Sequence, residues 1–143
     1  MKKLLLFLFL PFTLLGQKYD NTWILGYESD LTIPGIDGTI FNFLQPEDLF
    51  NHELIAFSMG QSSSSISTEN GELLFYTNGC SISNKEHETM LNGNDISPGE
   101  VHEIQCDLYG YTAGSQSSLI LPMPDNDSIY YIFHKRIISV VSG

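Results

Sequence analysis

The sequence is short of positive charge. Its 143 residues hold 6 Lys+Arg against 17 Asp+Glu, a formal net charge of −11. A nucleic-acid backbone or an anionic membrane surface needs Lys and Arg to neutralise phosphate, so the balance argues against both as partners. Cysteine is scarce: there are two, with no C-x-x-C, which leaves any zinc site dependent on help from histidine. No G-x-S-x-G elbow surrounds Ser115-Gln116-Ser117, and neither a Gly-rich phosphate loop nor a dinucleotide fingerprint occurs. No apolar run reaches the roughly 20 residues of a membrane-spanning helix. No window of about 12 residues keeps helical apolar spacing past the Gly, Pro and Asn interruptions. What is present is 42% hydrophobic and 12% aromatic residues, too rich for a disordered chain and enough for one packed domain.

The N-terminus has a basic start, Met1-Lys2-Lys3, an apolar run from Leu4 to Leu15, and small Gly16 before Gln17. That three-part pattern is a secretory signal peptide, residues 1–16; its apolar stretch is too short for a membrane anchor. Removing it leaves residues 17–143, with four basic and seventeen acidic residues and a formal charge of −13. An extracellular or cell-surface location follows. In an oxidising compartment Cys80 and Cys106 favour a structural disulfide over free thiols. The bond closes a loop of about 27 residues and restricts the unfolded chain by roughly 3.5 kcal/mol in the chain-entropy account.

The remaining pattern is β, in antiparallel hairpins and meanders. Residues 23–27 and 39–43 read as short strands, and Pro46 to Phe50 as one helical turn or a loop. Ser63–Ser67 and Leu73–Thr77 flank Asn70-Gly71, a two-residue hairpin signal in which both positions take φ > 0. Strict alternation puts Leu73, Phe75 and Thr77 on one face and Leu74 and Tyr76 on the other. Both faces are apolar, so the strand is covered on both sides. Asn78-Gly79 is a second turn, before a strand over residues 80–84. The chain loosens from Lys85 to Ser115, with the proposed disulfide pinning its middle. A second hairpin pairs residues 117–121 with 128–134, its first strand ended by Pro122 and Pro124. Residues 137–141 start another strand.

Candidate chemistry is thin. Glu100, His102, Glu103 and Asp107 form a weak metal or acid–base candidate; in a strand Glu100 and His102 share a face and Glu103 points away. The bland alternative is a solvated acidic loop. Asp125 and Asp127 suit Ca²⁺ by oxygen chemistry, yet Asp and Asn are also ordinary turn residues. Seventeen acids guarantee many carboxylate pairs, so a glycosidase pair carries no signal. Tyr109, Tyr111, Tyr130 and Trp23 could form a binding surface, though such residues more often serve as core and blade-packing residues.

The run from Ile66 to Cys80 resembles the N-terminal repeat region of large secreted proteins from Bacteroidota. Asn84, His87, Met90, Asn92-Gly93, Pro98-Gly99-Glu100, His102, Cys106-Asp107, Tyr109-Gly110-Tyr111, Pro122-Met123-Pro124 and the Tyr130–His134 run add to the likeness. It covers most of the chain from Trp23 to His134. Thr68 departs from it, standing where those proteins often carry an acid. The resemblance implies a partial β-propeller, about two blades for roughly eight strands. Such proteins often end in a type IX secretion sorting domain, which is absent here, so a truncated fragment is expected. The alternative is a small β-sandwich, which the strand number also allows. The expected function is extracellular binding or scaffolding of a protein or glycan, non-catalytic by itself, with self-association through open sheet edges. The rival is a fragment of a secreted propeller-type hydrolase acting on glycans.

Overall fold

The computed structural model describes residues 17–26, 38–96 and 98–135. The signal peptide expected at 1–16 and the strand expected at 137–141 lie outside them. Eight strands and one helix are present among the described residues. The fold is all-β in character, made of three small antiparallel sheets. Sheet A runs β1 (Thr22–Leu25), β2 (Gly38–Asn42), β3 (Phe50–Glu53), with a 3-10 turn at Pro46–Asp48 before β3. Sheet B runs β4 (Ser64–Ser67), β5 (Leu73–Thr77), β6 (Ile82–Asn84), and sheet C pairs β7 (Ser118–Met123) with β8 (Asn126–His134). Helix α1 (Glu100–Tyr109) lies between sheets B and C in sequence.

Sheet B is the middle layer. Ile24, Ile55, Phe57, Met59 and Tyr76 form one core, where sheet A and the segment after β3 meet sheet B. Ile66, Phe75 and Ile120 form a second, where sheet B meets sheet C. Strand β5 is thus covered on both faces, as its two apolar faces predict. The alternation is not strict, however. Pairing steps from Ile66↔Phe75 to Ser67↔Leu73, so β5 carries one extra residue. One extra residue inverts the side-chain order beyond it. Leu73 therefore packs with the Tyr76 core and Leu74 with the Phe75 core, the reverse of the alternation.

The first hairpin turn also differs in type. Gly71 takes φ +88° while Asn70 keeps an ordinary negative φ. Thr68 N–H donates to Glu72 O at 2.8 Å and Gly71 N–H to Thr68 O at 2.8 Å. This is the three-residue loop closed by a left-handed glycine, not the two-residue turn with two positive φ values. At the second turn Asn78 Oδ1 accepts the N–H groups of Cys80 (2.9 Å) and Ser81 (3.1 Å). That keeps both residues out of the ladder, so β6 begins at Ile82 and not at Cys80. In the last hairpin Pro122 does not end β7. It pairs with Tyr130, and the strand reaches Met123. Proline is tolerated there because β7 is an edge strand.

The three sheets meet along their first strands. Strand β1 lies against β4, and β4 against β7; each is the edge of its own sheet. The serine run joins them. Ser67 Oγ accepts Thr22 N–H (3.2 Å), Ser65 Oγ donates to Thr22 O (2.6 Å) and Ser64 Oγ donates to Ser118 O (2.7 Å). Edge groups that no neighbouring strand pairs are satisfied by hydroxyls instead.

Candidate functional site

Helix α1 rearranges the acidic candidate site. Its N-terminus follows Gly99, and Glu100 and Glu103 lie in the first turn, where carboxylates suit the helix dipole. Gly110 closes it in the left-handed conformation at φ +74°, its N–H donating to Cys106 O. Residues 100, 103 and 107 recur at helical spacing, and Glu100, Glu103 and Asp107 are all exposed. His102 and Cys106, four apart, face inward. The strand geometry that put Glu100 and His102 together is therefore overturned: His102 leaves the acids and turns to the cysteines.

Cys80 and Cys106 are joined by a disulfide with Cα–Cα 5.7 Å, as the compartment argument predicts. His102 is buried beside it, with Nδ1 3.2 Å from Cys106 Sγ. On the other side of the ring Nε2–H donates to Asp95 Oδ1 at 3.3 Å. Asp95 is exposed and sits in the left-handed region at φ +51°, which aspartate tolerates better than most residues. The line Asp95–His102–Cys106–Cys80 thus joins a solvent-facing carboxylate to the buried sulfur of Cys80 through the half-buried Cys106. Sequence reasoning missed Asp95 altogether, because only the turn before α1 brings it to the ring.

A second relay crosses sheet B. Ala56 N–H donates to Tyr76 Oη (2.9 Å), which contacts His87 Nδ1 (2.9 Å), and His87 Nε2 contacts Glu53 Oε2 (3.1 Å). Tyr76 is fully buried, and burial pushes its phenol above the usual tyrosine range. Its hydroxyl bonds tie sheet A's exit segment to the β6 turn, so the group is explained by packing.

A groove of about 660 Å³ runs where β1, β4 and β7 converge. Trp23, Leu25, Leu119, Leu121 and Pro122 give it apolar walls, and Ser63–Ser65 a polar floor. Trp23 meets Phe43 edge-on at 5.2 Å. Of the other aromatic candidates, Tyr130 packs edge-on against Phe75 at 5.4 Å beside a separate hollow, Tyr111 lies over Gly60, and Tyr109 is exposed at the end of α1. Asp125 stands in the β7–β8 turn, in the left-handed conformation, whereas Asp127 lies in β8, where Asn126 Oδ1 accepts Ser128 N–H at 2.9 Å.

Comparison of the chain with protein families, with curated proteins and with solved structures finds no match. No helix among the described residues is long and apolar enough to cross a membrane.

Proposed function

We propose that the chain is a non-catalytic binding or scaffolding module, exported and held outside the cell or at its surface, and built as part of a β-propeller. The observation that carries this reading is a pair of apolar sheet faces that the three sheets leave uncovered. On sheet C, the cross-strand pairs Leu119↔Phe133 and Leu121↔Tyr131 all point outward, with Phe133 56% exposed. On sheet A, Trp23 and Phe50 flank Phe41 on the face opposite Ile24, and Trp23 is 53% exposed. Contiguous apolar faces of this kind mark sites where another surface packs. Their natural partner is a further β-sheet, from an extracellular protein or from additional blades.

The order of the sheets supports the propeller over the sandwich. A sandwich has two facing sheets, whereas blades repeat radially with their first strands innermost. Three sheets in chain order, with β1, β4 and β7 side by side, fit the radial plan. On this reading the eight strands make three incomplete blades of three, three and two strands, rather than two full ones.

Sedimentation velocity on residues 17–143 tests the reading. Concentration-dependent self-association is expected, relieved by Leu119→Ser with Phe133→Ser. A wild-type chain that stays monomeric at high concentration and binds no hydrophobic dye would overturn it. Export is tested separately: the mass of the chain recovered outside the cell should begin at about Gln17, and an intact Met1 would refute cleavage.

A further inference from the structure

A disulfide that serves only as a staple needs neither an imidazole against its sulfur nor a carboxylate behind that imidazole. This one has both. Cys80 Sγ, Cys106 Sγ and His102 Nδ1 lie within 4.8 Å of one another, and no other such group occurs among the described residues. We propose that reduction of the Cys80–Cys106 bond converts this corner into a three-ligand centre for a borderline-soft divalent cation such as Zn²⁺.

The ligand set is the first argument. Two thiolates and an imidazole are the donors that Zn²⁺ prefers over hard cations. Spacing is the second. His102 and Cys106 are four residues apart, so they share one helix face. A tetrahedral zinc with Zn–S of about 2.3 Å and Zn–N of about 2.0 Å sets nitrogen and sulfur about 3.5 Å apart. The observed 3.2 Å needs only a few tenths of an ångström of adjustment. The two sulfurs must separate to about 3.8 Å, a side-chain rotation that the 5.7 Å Cα–Cα distance permits. Orientation is the third. Asp95 Oδ1 accepts the Nε2–H hydrogen bond, which directs Nδ1 toward the sulfurs. A carboxylate behind the distal nitrogen is the usual outer partner of a metal-bound histidine. Asp95 is thus a positioning residue, and the fourth metal position stays open to water or an external donor.

The redox step needs a dithiol reductant. One of its thiolates attacks a sulfur of the pair and breaks the S–S bond. Its second thiol resolves the mixed disulfide, so the reductant leaves oxidised and Cys80 and Cys106 remain as thiols. The metal then displaces both thiol protons to solvent.

Cobalt titration of the full chain, reduced anaerobically with a phosphine, tests the proposal. One equivalent of Co²⁺ should produce thiolate charge-transfer absorption and tetrahedral d–d bands, both removed by Zn²⁺. The oxidised chain should give neither. Asp95→Asn, at an exposed position, should keep the circular dichroism spectrum and weaken Zn²⁺ binding by about 10–100-fold; His102→Ala should weaken it further. A reduced chain that keeps its β spectrum without charge transfer would overturn the proposal. So would a reduced chain that unfolds and is not refolded by Zn²⁺, or variants at positions 95 and 102 that both bind as tightly as the parent.

Discussion

Tyr76 places a hydroxyl inside the wall between two sheets, and its surroundings decide what that costs. It receives Ala56 N–H and reaches His87, so its removal strands a backbone donor in a part-buried site. Tyr76→Phe should lower unfolding stability by about 1–3 kcal/mol, read as a shift in urea midpoint at constant slope. Tyr131→Phe, at an exposed position, is the control and should change little. The phenol also sets a pH dependence. Burial raises Tyr76 above the usual range, and desolvation followed by nearby carboxylates raises Tyr19 and Tyr130. The unfolded chain ionises these phenols near pH 10 while the folded chain holds their protons. Stability is therefore full below about pH 10 and falls as pH rises above it. Urea titrations from pH 9 to 11 should show that fall, with a smaller slope in Tyr76→Phe; an equal slope in the variant would exclude Tyr76 as a source.

At the scale of elements, turns and the helix carry the informative differences. The Asn70-Gly71 signal correctly marks a hairpin between β4 and β5, because a residue free to take positive φ is needed there. Which residues take it depends on the loop length that packing allows. With Gly71 left-handed and enclosed by the Leu44 side chain, Gly71→Ala should cost about 1–2 kcal/mol. Asn70→Ala should stay within about 0.5 kcal/mol, since Asn70 is exposed and has no positive φ. Equal losses at the two positions would restore the two-residue turn. Helix α1 was not legible because its apolar residues Ile104 and Leu108 face solvent, while its inward face is His102 and Cys106. A helix held by a sulfur bridge leaves no apolar stripe to read. The acids at its start and Gly110 at its end were the available signs. Reduction with alkylation, which also blocks metal, should release α1: its amides should exchange faster than those of β5. Unchanged exchange there would mean that the bridge does not hold the helix.

At the scale of the whole molecule, sheet B is stabilised from both sides and sheets A and C from one. Ile66 belongs to the core between sheets B and C, at 2% exposure. Ile66→Ala should cost about 2–5 kcal/mol, since the layers leave little room to collapse into the void. A cost below about 1 kcal/mol would mean that the B–C interface is loose. The outer faces of A and C are apolar, yet the chain carries −11 overall. Like charge opposes association at low salt and is screened as salt rises. Self-association of residues 17–143 should therefore strengthen from 50 mM to 500 mM NaCl. Weaker association at high salt would indicate contacts made by ion pairs instead of apolar faces.

The sequence by itself determined the β character, the two main hairpins, the double covering of β5 and the pairing of Cys80 with Cys106. Each of these rests on local alternation, turn chemistry or cysteine arithmetic, which act within a few residues or need no geometry. Only the tertiary structure decided that the serine run bridges three sheet edges, that an added residue in β5 swaps Leu73 and Leu74 between cores, and that Asp95 meets His102. Those depend on groups 7 to 54 residues apart finding one another. A hydroxyl's or a carboxylate's partner is set by packing, and no periodicity in the chain encodes it.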